Sequence, residues 1–312
     1  MGVAAFVIGF AGALAAVTPL YLVVLALASF ARPGPSHRPS RAPRLVVLVP
    51  AHNESELIGR CVRSLRDQSY PAASYRVVAI ADNCTDSTAA VAAAEGAEVM
   101  VRTDPQQRGK GQALRWAMDR LLAAPDAPEA VIVVDADSVA DRDLVDQLAA
   151  SYAAGHESVQ ADDLLRSDSP SLRAELETIA LLLRNHIRFA GRAALGMPAG
   201  LCGNGMLLSA AVLREHPWSA FSGTEDGEYS MILREAGIAT AFAPAAKAYA
   251  STTSGGSGAY TQGIRWEGGR FRIMRAWIPR LLVTAIKRRD LGLLSTVVDL
   301  AMLPLSACFA VL

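Results

Sequence analysis

The stretch Val131-Ile-Val-Val-Asp-Ala-Asp-Ser138 constrains the fold more than any other part of the chain. Its four leading apolar residues read as a strand buried on both faces, the habit of strands in a sheet covered by helices. The run ends abruptly in two carboxylates, Asp135 and Asp137, one residue apart. A strand that delivers acids at its C-terminal end puts charge at the rim of a sheet, and open α/β sheets bind ligands at that rim. Two hard carboxylates suit Mg²⁺ or Mn²⁺, ions commonly shared with substrate phosphates. The plainer reading has Asp135 end the strand and Asp137 cap a turn or the next helix.

The residues on either side alternate between strand and helix patterns. Leu45 to Val49 is a short apolar strand ending at Pro50, and Asn53 is the N-cap of a helix with Leu57, Cys61 and Leu65 on one face. Tyr75 to Ala81 is a second strand, ending in Ala81-Asp-Asn-Cys-Thr-Asp86, after which Thr85 or Asp86 caps an Ala-rich helix to Glu95. Glu98 to Arg102 is a third strand, and Arg108-Gly-Lys-Gly-Gln112 opens a helix carrying Leu114, Ala117, Met118 and Leu121. Short connections between such units predict an α/β fold with a mainly parallel, Rossmann-like sheet.

The second half is less regular. Asp141 to Gly155 reads as helix, and Ser158 to Leu165 as an edge strand. Ser171 to Gly191 reads as one long helix with an apolar stripe of Leu172, Leu176, Ile179, Leu183 and Ile187. The glycine-rich Gly200 to Met206 suits a pocket wall, Thr224-Glu-Asp226 starts a helix to Ala236, and Ile238 to Phe242 is a strand. Ser251 to Tyr260 reads as a mobile loop.

Both chain ends are strongly apolar, which accounts for the 52% hydrophobic content. Val3 to Phe30 is an uncharged run of about 28 residues, enough to span a bilayer with some tilt. A cleavable signal peptide fits less well, because no basic residue precedes an apolar core this long. Arg32, Arg38, Arg41 and Arg44 follow among prolines and place the linker on the cytoplasmic side, with the N-terminus outside. The expected division is a transmembrane helix over 1–31, a basic linker over 32–44 and a cytosolic domain over 45–268. An interface helix follows over 269–290, where Arg residues alternate with Phe271, Ile273, Trp277 and Leu281, and a further membrane region begins over 291–312. Because that last run is apolar where the sequence stops, further membrane helices are expected beyond it. The 30 basic and 30 acidic residues give no argument for nucleic-acid binding. The four widely spaced cysteines form no CxxC pair, which favours reduced thiols over a zinc site or disulfides.

Three acidic sites fall at element junctions: Asp82, the Asp135/Asp137 pair, and Glu225/Asp226. In a parallel sheet Asp82 and Asp135 share one rim. Lys110 lies in a Gly-Lys-Gly turn at a helix N-terminus, where backbone N–H groups and the helix dipole favour phosphate. The fuller P-loop pattern is absent, so a nucleoside triphosphatase is not indicated. Each site also has a structural use: Asp82 and Asp86 as turn residues, Thr224-Glu-Asp226 as helix N-terminus, Trp266 as core or interface belt.

Taken in order, Val49-Pro-Ala-His-Asn-Glu54, Ala81-Asp-Asn-Cys-Thr-Asp86, Asp135-Ala-Asp137, Thr224-Glu-Asp226 and Gln262-Gly-Ile-Arg-Trp266 resemble the marks of the membrane-bound family 2 glycosyltransferases. This group includes the cellulose, chitin and hyaluronan synthases, whose marks are D, DxD, TED and QxxRW. The resemblance covers about Leu45 to Met274, and the single N-terminal span is more like the chitin- and hyaluronan-synthase layout. His52 stands where many relatives carry another residue. The resemblance implies a type A glycosyltransferase fold flanked by membrane helices.

It also implies roles. Asp82 would hold the uracil or ribose region of a UDP-sugar, with Glu54 nearby. Asp135 and Asp137 would bind Mg²⁺ or Mn²⁺, and Asp135 also the donor's diphosphate through it. Lys110 would be a second phosphate contact, though more loosely carried over. Asp226 would be the general base, with Glu225 beside it in the substrate site. Gln262 and Arg265 would hold the diphosphate, and Trp266 would stack on the acceptor. The reaction implied is inverting sugar transfer that builds a β-linked polysaccharide at the cytoplasmic membrane face. The alternatives are single transfer to a lipid, or a catalytically silent subunit that binds nucleotide-sugar. The partners implied are a carbohydrate or lipid acceptor, membrane lipids, and accessory or self-associated subunits. A nucleotidyltransferase is disfavoured, because no Gly-rich, Arg-containing loop follows the first strand.

Overall fold

The computed structural model describes residues 17–31, 41–166, 171–251 and 256–302, with the side chains of Arg173 and 251–267 excepted. Residues 17–29 form helix α1. The body then runs β1 (Leu45–Ala51), α2 (Ile58–Arg66), β2 (Tyr75–Asp82), α3 (Thr88–Ala94), β3 (Glu98–Arg102), α4 (Lys110–Ala123), β4 (Ala130–Val133), β5 (Ser138–Ala140) and α5 (Leu144–Ala153). It continues with β6 (Ser158–Arg166), α6 (Leu172–Leu181), a π-helical turn (Leu182–Ile187), α7 (Arg188–Ala194), β7 (Met206–Ser209), α8 (Ala210–Glu215), α9 (Glu225–Ala236), β8 (Thr240–Ser251), α10 (Gly256–Arg288) and α11 (Leu291–Ala301).

Among the described residues eight strands form one sheet in the order β3-β2-β1-β4-β7-β6-β8-β5. The first four are mutually parallel, as their apolar runs predict. Beyond β4 the sheet is mixed, since β7 runs antiparallel to both β4 and β6 while β6 and β8 are parallel. Two cores sandwich it. One joins Val47, Val49 and Ile132 to α2 and α5 through Ile58, Leu65 and Leu148. The other joins Leu48, Ile80 and Val133 to α4 and α9 through Leu114, Met118 and Tyr229. Alternate residues of one strand thus serve opposite faces, and burial on both faces is why β1 and β4 lack polar positions.

Several expectations need correction. Ser158 to Leu165 is not an edge strand, because β6 lies between β7 and β8. Its polar residues are buried with partners: the Gln160 amide donates to the Asn204 carbonyl at 2.7 Å, and Asp162 meets His186 Nδ1 at 2.7 Å. Asn53 does not cap α2, which starts at Ile58; it adopts a left-handed backbone (φ 57°), and its side-chain oxygen accepts from the Thr85 N–H. The Ala-rich helix is capped at Ser87 rather than at Thr85 or Asp86. Asp86 instead accepts from the N–H groups of Thr88 and Ser55, tying two loops together, and the Thr88 hydroxyl bond leads the causes that hold its carboxyl well below the usual range. The stripe on α6 faces outward, with Leu172 74% and Leu176 57% exposed. Of the loop expected over Ser251 to Tyr260, residues 256–260 are the start of α10, and 252–255 lie outside the described residues.

The flanking segments pack onto the body. In α1, Leu25 is fully buried, and its carbonyl lies where a Cβ on Gly191 would come within 2.1 Å. Tyr21 donates to Asp299 of α11 and accepts from Arg192 of α7. The interface helix expected over 269–290 is the latter part of α10, and Leu281 and Ala285 pack with Met231, Leu293 and Val297. No helix among the described residues is both long and apolar enough to cross a membrane. The span expected from Val3 lies partly outside the described residues, as do Arg32, Arg38 and the run after Met302.

Candidate active site

The C-terminal ends of β1 and β4 point the same way, so Glu54, Asp135 and Asp137 gather at one rim. Because β7 is antiparallel to β4, its entering loop reaches the same rim, and Gly205 N–H donates to the Val133 carbonyl. The N-termini of α4 and α9 meet there too. Together they enclose a cleft of about 590 Å³, lined by Glu54, Arg108, Lys110, Asp135, Asp137, Asp163, Glu225 and Asp226 among others.

Lys110 is the first residue of α4, as expected, preceded by Gly109 in a left-handed conformation (φ 113°). Its ammonium donates to Asp135 Oδ1 at 2.5 Å and to the Gly203 carbonyl at 2.9 Å. Burial draws its pKa down, but Asp135, Glu225 and Asp226 outweigh that, so the net shift is upward. A Cβ on Gly203 would lie 3.2 Å from Asp226 Oδ2 and 3.3 Å from Lys110 Nζ. Asp135 and Asp226, on two different elements, thus both act on one ammonium, Asp135 by a direct bond and Asp226 through its charge. Gly111 lets α4 come this close to the loop before α9, since a Cβ there would meet the Ala220 carbonyl at 2.3 Å.

The acids share their environment. Burial, then the neighbouring Asp135, raises the pKa of Asp137. Burial also raises Glu54, with Asp137 adding to it, and raises Glu225 and Asp226 against the pull of Lys110. For Asp226 this is opposite to the helix-dipole expectation, which favours the ionised form; desolvation outweighs the dipole and makes the carboxylate more basic. Thr224 sits at the N-cap position of α9 without a side-chain capping bond. Its side chain instead faces Gly269 of α10, where a Cβ would come within 2.2 Å, and Ile273 Cδ1 lies 3.0 Å from the Cβ position of Gly227. So α10 passes directly over the N-terminus of α9.

Asp82 ends β2 at the same rim, as expected in a parallel sheet, but stands apart from the cleft, and three further expected residues fall where no side chain is described. Asp82 is buried outside the cleft lining, ion-paired to Arg102 at 2.6 Å. Gln262, Arg265 and Trp266 belong to α10, and their side chains lie outside the described residues.

Four residues at the site escaped the sequence. Asp163 on β6 lines the cleft, accepts from Asn204 Nδ2 at 2.8 Å, and is pushed up to about 7 by burial. Asn204, held between left-handed Gly203 and Gly205, accepts the Asp135 N–H on its side-chain oxygen. Arg184 and Arg188 enter from the π-helical turn and α7. The one readable signal was the Gly-Asn-Gly sequence of the pocket wall.

Residues 43–269 match the family described as "Glycosyltransferase like family 2". The chain belongs to this family. No protein with a curated function matches it in sequence. Among solved structures, this glycosyltransferase is similar to the mannosyltransferase PcManGT from Pyrobaculum calidifontis in complex with GDP-Man and Mn²⁺. That match has 18% identity and a TM-score of 0.63, covering 96% of this chain and 85% of the other. It is also similar to S. aureus TarS 1–349 in complex with UDP-GlcNAc, at 18% identity and a TM-score of 0.53, over 77% of this chain and 66% of that one. At such identities the likeness establishes the fold, a type A glycosyltransferase sheet.

Proposed function

We propose that this glycosyltransferase moves a sugar from a nucleoside-diphosphate donor to an acceptor hydroxyl with inversion, at the cytoplasmic face of a membrane. The observation that carries this reading is that Asp135 and Asp226 both act on the Lys110 ammonium in one cleft, Asp135 by a direct bond and Asp226 through its charge. UDP is the nucleotide implied by the resemblance to the polymer synthases. The solved structures fit a nucleotide-sugar donor more broadly, one holding GDP-Man and another UDP-GlcNAc.

Asp226 acts as the base. The acceptor oxygen forms a bond to the anomeric carbon as its proton passes to the Asp226 carboxylate. The bond from that carbon to the diphosphate oxygen breaks, and its electron pair leaves with the nucleoside diphosphate. Attack from the face opposite the leaving group gives a β-linkage from an α-linked donor. Lys110, with Arg265 and Gln262 from α10, offsets charge on the departing diphosphate. Glu54 serves the nucleoside side, with Asp82 and its partner Arg102 supporting the neighbouring strand end, and Trp266 serves the acceptor.

Asp135 and Asp137 would hold Mg²⁺ or Mn²⁺. Among the described residues no group of three or more His, Cys, Asp or Glu could hold a metal ion. Two carboxylates alone suit a hard cation that completes its shell with substrate phosphates and water. When bound, the ion supplies positive charge beside the diphosphate.

A growing polysaccharide is one acceptor consistent with this chemistry. A lipid is the other, and the exposed Ile179, Leu182 and Leu183 beside the cleft favour it. The test is nucleoside diphosphate release and product mass from a panel of UDP- and GDP-sugars, using the full chain in membranes. Release with none of them would leave a silent nucleotide-sugar-binding subunit as the better reading.

A further inference from the structure

The N–H of Asp135 lies just past the end of a ladder. β4 and β7 pair antiparallel as far as Val133 and Met206, so a continued register would set Asp135 opposite Asn204. The glycines on either side of Asn204 end that register. Gly203 (φ 89°) and Gly205 (φ 69°) hold left-handed backbone, and a Cβ on Gly205 would come within 2.6 Å of the Ala161 Cβ. The Asn204 carbonyl accepts from Gln160 Nε2 at 2.7 Å instead of serving β4. The Asn204 side chain takes over the ladder's task, and its Oδ1 accepts the Asp135 N–H at 3.2 Å.

This amide has only one way to lie. A backbone N–H can donate but not accept, so Oδ1 must face Asp135. That leaves Nδ2 to donate to Asp163 Oδ1, which accepts it at 2.8 Å. Asp163 is held in turn, its Oδ2 accepting from Asn185 Nδ2 on the π-helical turn at 3.2 Å. Gln160 grips the same loop a second time, with Oε1 accepting the Cys202 N–H at 2.9 Å. Asn204 is 2% exposed and does not line the cleft, so it stands behind the wall, out of a substrate's reach.

The relay ends on the residue that binds the cation in the transfer reading. The other groups of Asp135 are fixed as well: its carbonyl accepts the Ser138 N–H at 3.1 Å, and its Oδ1 accepts from Lys110. Removing the Asn204 side chain takes away the partner of the Asp135 N–H and frees this strand end to shift. Groups one step behind a metal's ligands typically contribute about 10- to 100-fold to its affinity. We propose that Asn204 is a positioning residue for the cation site, fixing the Asp135 backbone, and that Asp163 sets the orientation of its amide. This rests on the reading of Asp135 as a cation ligand and adds the residues that set its geometry.

The test uses the full chain in phosphatidylcholine nanodiscs. Binding of a trace of radiolabelled UDP, and of GDP in parallel, is followed as Mn²⁺ is raised. The Mn²⁺ concentration at half of the rise in binding reports the cation site, and binding in EDTA reports the rest of the cleft. Asn204→Ala should raise that concentration about 10- to 100-fold, with nucleotide affinity in EDTA within twofold of wild type. Asn204→Asp sets two carboxylates face to face and should also raise it at least tenfold. Adding Asp163→Asn to Asn204→Asp exchanges donor and acceptor across the same pair and keeps its charge, and should return the value to within threefold of wild type. A value for Asn204→Ala within threefold of wild type overturns the proposal. So does an equal loss of affinity in EDTA, which would mark a general loosening of the cleft. A double variant no better than Asn204→Asp would overturn the part given to Asp163. If Mn²⁺ leaves wild-type binding of both nucleotides unchanged, the cation reading itself fails, and this inference with it.

Discussion

Lys110 Nζ lies 2.5 Å from Asp135 Oδ1 and 2.9 Å from the carbonyl of Gly203, so one ammonium joins the end of β4 to the glycine loop before β7. Hydrogen bonds to charged groups are worth about 1.5–3 kcal/mol, and each 1.4 kcal/mol is about tenfold in affinity. Lys110→Met keeps the length and removes the charge. Donor affinity is expected to fall roughly 10- to 100-fold. A nucleotide titration checks this, and a fall below threefold would remove Lys110 from the phosphate site.

The burial-raised carboxyl of Asp137 beside Asp135 points to a site that gains from a cation. EDTA is expected to abolish transfer and Mn²⁺ or Mg²⁺ to restore it. Asp137→Ala should be inactive while keeping its melting temperature. Full activity in chelator would contradict the metal role.

Asp163 gives a pH signature. Its folded pKa is pushed up to about 7 by burial, against an unfolded value of about 3.9. Between those values the folded chain binds more protons than the unfolded one, so stability present at low pH is lost as pH rises from about 4 to 7. Asp163→Asn cannot ionise and should flatten that part of the curve. Melting temperatures of the two proteins across pH 4 to 8 test this, and parallel curves would sink it.

Where the chain uses regular patterns, its sequence already tells the structure. The apolar runs ending at Pro50, Asp82 and Asp135 became parallel strands, and Lys110 and Glu225 open their helices as the turn residues suggested. What was not legible depends on long-range pairing. Gln160, Asp162 and Asp163 look like the polar residues of an edge strand until Asn204 and His186, distant in sequence, supply their partners. Leu172 and Leu176 have the spacing of a buried stripe yet face outward, because periodicity reports amphipathicity and not what covers the face. The placement of Arg184 and Arg188 at the cleft depends on a π-helical turn for which no local signal was read.

The docking of α1 rests on Gly191. A Cβ there would lie 2.1 Å from the Leu25 carbonyl, a backbone atom with no rotamer to change. Gly191→Ala is expected to cost about 1–3 kcal/mol, lowering the melting temperature by about 2–4 °C per kcal/mol. It should also expose the segment around Leu25 to protease. An unchanged melting temperature and cleavage pattern would show that α1 does not depend on this crossing.

The central claim is that Asp226 takes the acceptor's proton in a cleft where other groups hold the donor. Asp226→Asn keeps the shape and removes the base, whose contribution is typically about 10²- to 10⁴-fold. The measurement is a nucleotide-binding titration beside a transfer assay on the same membranes. The predicted result is near-normal nucleotide affinity with transfer reduced by about that factor. Transfer surviving within a few-fold would contradict the assignment and turn attention to Glu225, and joint collapse of binding and transfer would make Asp226 a structural residue of α9.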